Sequence, residues 1–65
     1  MESLLSLNQV ADLLNIPVLT VRYYVRLRKI PFIKFGKQLR FRKRDIDLWV
    51  ESHLQKVFEL KPLNH

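Results

Sequence analysis

The first pattern of apolar and polar positions in the chain has the period of an α-helix. Its apolar members are Leu7, Val10, Ala11 and Leu14. They recur at spacings of three and four residues, which puts them on one face of a helix over residues 7–14. Ser6 followed by Gln9 has the spacing of a capping box, so we expect the helix to begin there. Asn15 suits the left-handed conformation that ends many helices.

A second helical pattern follows Pro17, which cannot continue the first helix. We predict a helix over residues 18–28, because Pro31 biases the residue before it away from helical backbone. One face of this helix is apolar and faces inward, and its members are Val21, Tyr24 and Val25. The outward face carries two arginines and a tyrosine, and its members are Leu19, Arg22, Tyr23 and Arg26. The polar face is therefore available to a partner.

The period changes to two over residues 32–41, which indicates a hairpin. A two-residue turn at residues 36–37 would pair Phe35 with Gln38. A three-residue loop would instead pair Phe35 with Leu39 and keep the apolar residues on one face. We predict the longer loop, with the basic residues facing outward.

Helical spacing returns in the last third of the chain and extends to residue 58. We predict the longest helix over residues 43–58, followed by a frayed tail over residues 59–65. Nothing divides the chain, so residues 1–65 are predicted to form one domain. The expected fold is mainly α with a small β-hairpin, a winged helix-turn-helix in the order α-α-β-β-α.

The formal net charge of +6 predicts attraction to a polyanion, with nucleic acid as the first candidate and an anionic membrane surface as the second. The chain has neither a spanning apolar run nor the features of a signal peptide, so a cytoplasmic location is expected. It has no cysteine, and His53 falls on an apolar stripe. We therefore expect no metal, no cofactor and no enzymatic activity.

The basic residues concentrate on the second helix and the hairpin, which predicts DNA binding. Arg22 and Arg26 lie four residues apart, so both can point into one major groove, where Arg is well suited to guanine. The hairpin would act as a wing along the backbone or in the minor groove. The predicted contacts on the helix are Val18, Leu19, Thr20, Arg22, Tyr23 and Arg26. The predicted contacts on the wing are Lys34, Gly36, Lys37, Gln38, Arg40 and Arg42.

Several short segments stand in a characteristic order and spacing, namely Leu5-Ser6-Leu7-Asn8-Gln9-Val10-Ala11-Asp12-Leu13-Leu14, Thr20-Val21, Ile30-Pro31, Gly36, Leu39-Arg40-Phe41-Arg42, Asp45-Ile46 and Trp49. In these segments, from about residue 4 to residue 54, the chain resembles the excisionase-type, MerR-like helix-turn-helix domains. Three positions depart from the usual pattern. Asn15 and Arg28 stand where glycine is usual, and Pro17 stands where a small hydroxyl residue usually caps the second helix.

The resemblance implies that the second helix enters the major groove and that the wing contacts the flanking backbone or minor groove. Proteins of this kind are transcription regulators, or small directionality factors that bend DNA during excision of phages and integrating elements. The small size favours the second role. Binding to repeated sites further implies cooperative self-association on double-stranded DNA, with an integrase or recombinase as a further partner.

Two functions of other classes stay open at this stage. A basic helix-turn-helix scaffold could be a protein-interaction module that docks on a recombinase or an acidic partner. Binding to a membrane surface through an amphipathic segment is disfavoured, because the basic residues lie mainly on a hairpin and one short helix.

Overall fold

The computed structural model describes residues 3–55, which form three helices and three short strands. The elements are β1 Leu4–Leu5, α1 Leu7–Leu14, α2 Val18–Arg26, β2 Ile33–Phe35, β3 Gln38–Arg42 and α3 Lys43–Ser52. The strands form an antiparallel sheet in the order β1-β3-β2. The predicted winged helix-turn-helix is confirmed. Strand β1 is an addition to it, since two residues are too short for an alternating pattern to reveal.

Helix α1 has the predicted bounds because both of its ends are capped by local hydrogen bonds. The Ser6 N–H donates to Gln9 Oε1 at 2.8 Å, and the Gln9 N–H donates to Ser6 Oγ at 3.1 Å. At the other end Asn15 has a φ of 57°, and the Ile16 N–H donates to the Ala11 carbonyl at 3.0 Å. This left-handed closure turns the chain sharply, so α2 can begin only a few residues later.

Helix α2 ends at Arg26, two residues before the predicted end at Arg28. The prediction was wrong because Arg28 has a φ of 57°, which is incompatible with a right-handed helix. The start of the helix agrees with the prediction, and Pro17 provides no side-chain cap there. Since α2 lacks an N-terminal capping bond, packing against α1 has to stabilise it.

The hairpin has the two-residue turn, so the predicted three-residue loop is wrong. Phe35 pairs with Gln38, Lys34 with Leu39, and Ile33 with Arg40. Gly36 has a φ of 61° whereas Lys37 has no positive φ, the combination of a type II′ turn with glycine first. Such a turn matches the right-handed twist of the strands. The favourable backbone geometry of the short turn therefore stabilises the hairpin more than the longer loop would by placing all apolar side chains on one face.

The new register changes which wing residues are exposed. Phe35 lies on the outer face of the sheet opposite Gln38 and is 53% exposed. Leu39 lies on the inner face and packs against the core. Arg40 lies on the outer face as predicted but is half-buried. The predicted outward direction is wrong for Lys34, which pairs with Leu39 and therefore lies on the same, inner face.

Helix α3 ends at Ser52, so the predicted helix over residues 43–58 is wrong at His53, Leu54 and Gln55. The carbonyl of Trp49, which would accept from the His53 N–H in a longer helix, instead contacts Ser52 Oγ at 2.6 Å and His53 Nδ1 at 2.8 Å. The His53 N–H donates to the Val50 carbonyl at 3.0 Å, which tightens the last turn. Residues 56–58 and the predicted tail over residues 59–65 lie outside the described residues.

The core is small and draws on every helix. Its fully buried members are Val10, Ala11, Val21, Ile30, Phe41 and Ile46. Trp49 of α3 packs edge-on against Tyr24 of α2, and its indole N–H donates to the Lys29 carbonyl at 2.6 Å. Helix α3 thereby packs against the inner side of α2 near its C-terminal end and leaves the opposite side of α2 exposed. Within residues 3–55, no helix has the length and apolar character to span a bilayer.

Candidate nucleic-acid interface

Helix α2 presents the polar face that its sequence pattern predicted. Leu19, Arg22, Tyr23 and Arg26 are exposed, and Val21 on the opposite face is fully buried. Leu19 is 76% exposed and lies beside Arg22 and Arg26, so it adds apolar surface to this face of the helix.

The wing lies alongside α2, and two grooves separate the two elements. The first, called here the cationic groove, is lined by Arg22, Val25, Arg26, Arg28, Phe32, Lys34, Lys37 and Leu39. The second, called here the N-terminal groove, is lined by Ser6, Leu7, Asn8, Val18, Arg22, Lys37, Gln38, Leu39 and Arg40. Both grooves are lined by Arg22, Lys37 and Leu39, so the grooves adjoin at these three side chains.

The cationic groove contains five positive side chains and no acidic one. The ion pairs within residues 3–55 join Arg42 to Asp45 at 3.2 Å and Lys43 to Asp47 at 3.1 Å. Neither ion pair involves a residue that lines the cationic groove. Five like charges on one concave surface repel one another, and a polyanion that enters the groove would relieve that repulsion.

Acidic side chains occupy a different part of the described chain. Asp12 lies on α1, and Asp45, Asp47 and Glu51 lie on α3. Asp47 and Glu51 line a shallow apolar groove between α1 and α3, together with Leu13, Leu14, Ile46 and Val50. The cationic surface formed by α2 and the wing therefore contains no acidic side chain, whereas α3 carries an acidic surface at Asp47 and Glu51 next to its own Lys43 and Arg44.

The structure brings seven of the twelve predicted contact residues together in the two grooves. Arg22, Arg26, Lys34 and Lys37 line the cationic groove, and Val18, Gln38 and Arg40 join the N-terminal groove. Leu19 and Tyr23 lie on the exposed face of α2 outside both grooves, Thr20 is half-buried, and Gly36 forms the turn.

Two predicted contacts occupy more constrained positions than the sequence indicated. Val18 is half-buried and packs against the core, so only its edge lines a groove. The Arg40 guanidinium donates to the Leu39 carbonyl at 2.7 Å and to Gln38 Oε1 at 3.2 Å, which holds it along its own strand. Arg42 pairs with Asp45 and lines neither groove.

Two of the groove residues outside the predicted contact set are Arg28, which lines the cationic groove, and Asn8 at the start of α1, which lines the N-terminal groove. For Arg28 the available signal was its place at a position where glycine is usual. Asn8 carried no signal, because a polar residue in the first turn of a helix is ordinary.

The two helices and the three-residue turn between them, with a hairpin beside the second helix, define a winged helix-turn-helix, a class of DNA-binding domain. The chain belongs to the helix-turn-helix domain family, whose model matches residues 4–54. It is accordingly a DNA-binding helix-turn-helix protein with double-stranded DNA as its partner. Comparisons with curated proteins and with solved structures gave no match.

Proposed function

We propose that this protein binds specific sequences in double-stranded DNA and acts as an excisionase, a recombination directionality factor that bends DNA at repeated sites. The observation that carries DNA binding is the cationic groove, where α2 and the wing combine five positive side chains without an acidic neighbour. The excision role is supported by the resemblance of the sequence to excisionase-type domains. A MerR-like transcriptional regulator is the alternative role for the same interface.

In the proposed complex, α2 enters the major groove with its exposed face toward the base edges. Arg22 and Arg26 extend from that face and can each donate two hydrogen bonds to a guanine. Leu19 lies beside them and offers an apolar contact to a thymine methyl group. Base recognition is thus assigned to α2.

The wing supplies contacts to the flanking backbone. Lys37 at its tip and Lys34 on β2 lie across the cationic groove from α2, so a duplex seated on α2 meets them beside the major groove. Wing contacts added to those of α2 favour a duplex that curves toward the protein, because the added ion pairs offset the cost of bending.

Cooperative assembly is assigned to the acidic surface. Asp47 and Glu51 beside the apolar groove between α1 and α3 complement the basic surface of a second copy bound at an adjacent site. The same surface is our candidate for contact with a recombinase. The rival protein-interaction module would instead bind an acidic partner through the cationic surface of α2 and the wing, without needing DNA.

Binding and bending are tested by selection from random duplexes, followed by circular-permutation gels on the selected site. We expect enrichment of one motif, occurrence of that motif in repeats, and a mobility that depends on its position in the fragment. Selection of a motif without bending would favour a transcriptional regulator. No preference for duplex over an acidic polypeptide at physiological salt would favour the interaction module and overturn the proposal.

The excision role is tested first in the gene neighbourhood, where we expect an integrase gene, and then in a reconstituted reaction with that integrase. Added protein should raise the yield of excised circles and lower the yield of integrated product. An unchanged ratio of the two products, with DNA binding intact, would refute the excision role and leave DNA binding standing.

A further inference from the structure

Arg28 holds a backbone conformation that arginine rarely adopts. Within residues 3–55 two non-glycine residues have a positive φ, Asn15 and Arg28, both at 57°. Asparagine tolerates this conformation because its short polar side chain can bond locally. Arginine has no such compensation, since its Cβ crowds the neighbouring carbonyl oxygen.

The backbone explains why the conformation is required at this position. The Arg28 N–H donates to the Val25 carbonyl at 2.9 Å, and the Lys29 N–H donates to the Tyr24 carbonyl at 2.8 Å. This pair of bonds is a Schellman closure of α2, in which the residue at position 28 has to be left-handed. Both bonds are made by main-chain atoms, so glycine would complete the same closure with less strain.

The side chain of Arg28 therefore needs another explanation, and the cationic groove offers one. Its guanidinium carbon lies 5.8 Å from the centroid of the Phe32 ring, and the residue lines the groove together with Arg26 and Lys34. Contact with an aromatic face is weak at an exposed site, yet it orients the guanidinium. No acidic residue lines the groove, so the nearest charged groups repel Arg28.

We propose that Arg28 binds a phosphate of the DNA backbone where the chain leaves α2, and that the strained conformation persists because the site needs this charge. The inference rests on the proposed DNA-binding function and adds a contact at the C-terminal end of α2. The planar guanidinium can donate two parallel hydrogen bonds to one phosphate, and Phe32 holds it in the groove.

The test compares R28G, R28K and K29A with the wild-type chain. R28G removes the side chain and the strain together, while R28K keeps the charge. Lys29 is an exposed cation outside both grooves, so K29A controls for the loss of one charge. Each variant is titrated with one specific and one unrelated duplex at several salt concentrations, and its melting temperature is measured.

We expect R28G to keep or raise the melting temperature, because a left-handed site favours glycine. We also expect it to weaken binding to both duplexes about tenfold and to lower the slope of log affinity against log salt by about 0.9. R28K should retain most of the wild-type slope. K29A should stay within about twofold of the wild-type affinity.

A melting temperature equal to or above that of the wild type, with affinity and slope unchanged in R28G, would overturn the inference. Equal losses in R28G and K29A would also overturn it, since the effect would then be one of net charge. If the wild-type chain bound neither duplex, the proposed DNA-binding function itself would fail.

Discussion

Arg22 on α2 and Lys37 at the tip of the wing line the same two grooves. One residue comes from the element expected to read bases and the other from the element expected to contact backbone. Because both residues line both grooves, we expect a duplex that engages α2 to meet the wing as well. Because the turn at Gly36 positions Lys37, the short hairpin loop contributes directly to the shape of the candidate interface.

We predict that R22A and R26A each relax base preference at one position of the selected site. Loss of a bidentate bond to a base should cost about 1–3 kcal/mol against the preferred base and little on unrelated duplexes. Selection from random duplexes, followed by competition binding, measures the change position by position. R44A is the matched control, because Arg44 is an exposed arginine of α3 outside both grooves. Equal losses on all duplexes would contradict base reading by α2.

K37A should weaken binding to specific and unrelated duplexes alike, because a phosphate contact carries no sequence information. The slope of log affinity against log salt should fall by about 1. Titrations at several salt concentrations give both quantities. The wing would be excluded from the interface if the slope stayed at the wild-type value while the hairpin remained folded.

Gly36 is predicted to be the residue that fixes the wing register. An added Cβ meets nothing within 4 Å, so a substitution there has no steric clash. Its φ of 61° nevertheless strains an L residue by about 1–2 kcal/mol. G36A should therefore lower the melting temperature by several degrees, and G36N should lower it less, because asparagine tolerates the left-handed conformation better. Identical melting temperatures for the two variants would contradict this order.

The parts of the fold that local chemistry specifies could be predicted from the sequence. Ser6 and Gln9 mark the start of α1, and Asn15 marks its end, because each acts through hydrogen bonds to the nearby backbone. The outward face of α2 follows from helical spacing alone. The concentration of positive charge on α2 and the wing was equally visible, and so the class of partner was predictable.

The other features of the fold and the interface depend on competing interactions that the spacing of apolar and polar residues does not reveal. The spacing of apolar residues in the wing is compatible with two registers, and the turn at Gly36 decides between them through backbone twist. The end of α3 depends on Ser52 and His53 contacting the Trp49 carbonyl. The place of Arg28 in the cationic groove depends on its left-handed backbone, which the sequence indicates only through the usual glycine at that position, and on how the wing lies beside α2.

Trp49 is predicted to stabilise the end of α2 through its indole N–H. That group donates to the Lys29 carbonyl at 2.6 Å, immediately after the closure formed by Arg28, while the ring packs on Tyr24. W49F keeps an aromatic ring and removes the hydrogen bond, which should cost about 1 kcal/mol. For a domain of this size, the melting temperature should fall by about 4–8 °C.

The matched control for W49F is L48A, because Leu48 is the preceding residue of α3 and is 68% exposed. L48A should change the free energy of unfolding by less than about 0.5 kcal/mol. The salt slope of DNA binding should stay at the wild-type value in W49F, since the cationic side chains remain in place. A loss of stability in W49F no larger than that in L48A would show that the hydrogen bond to Lys29 does not support α2.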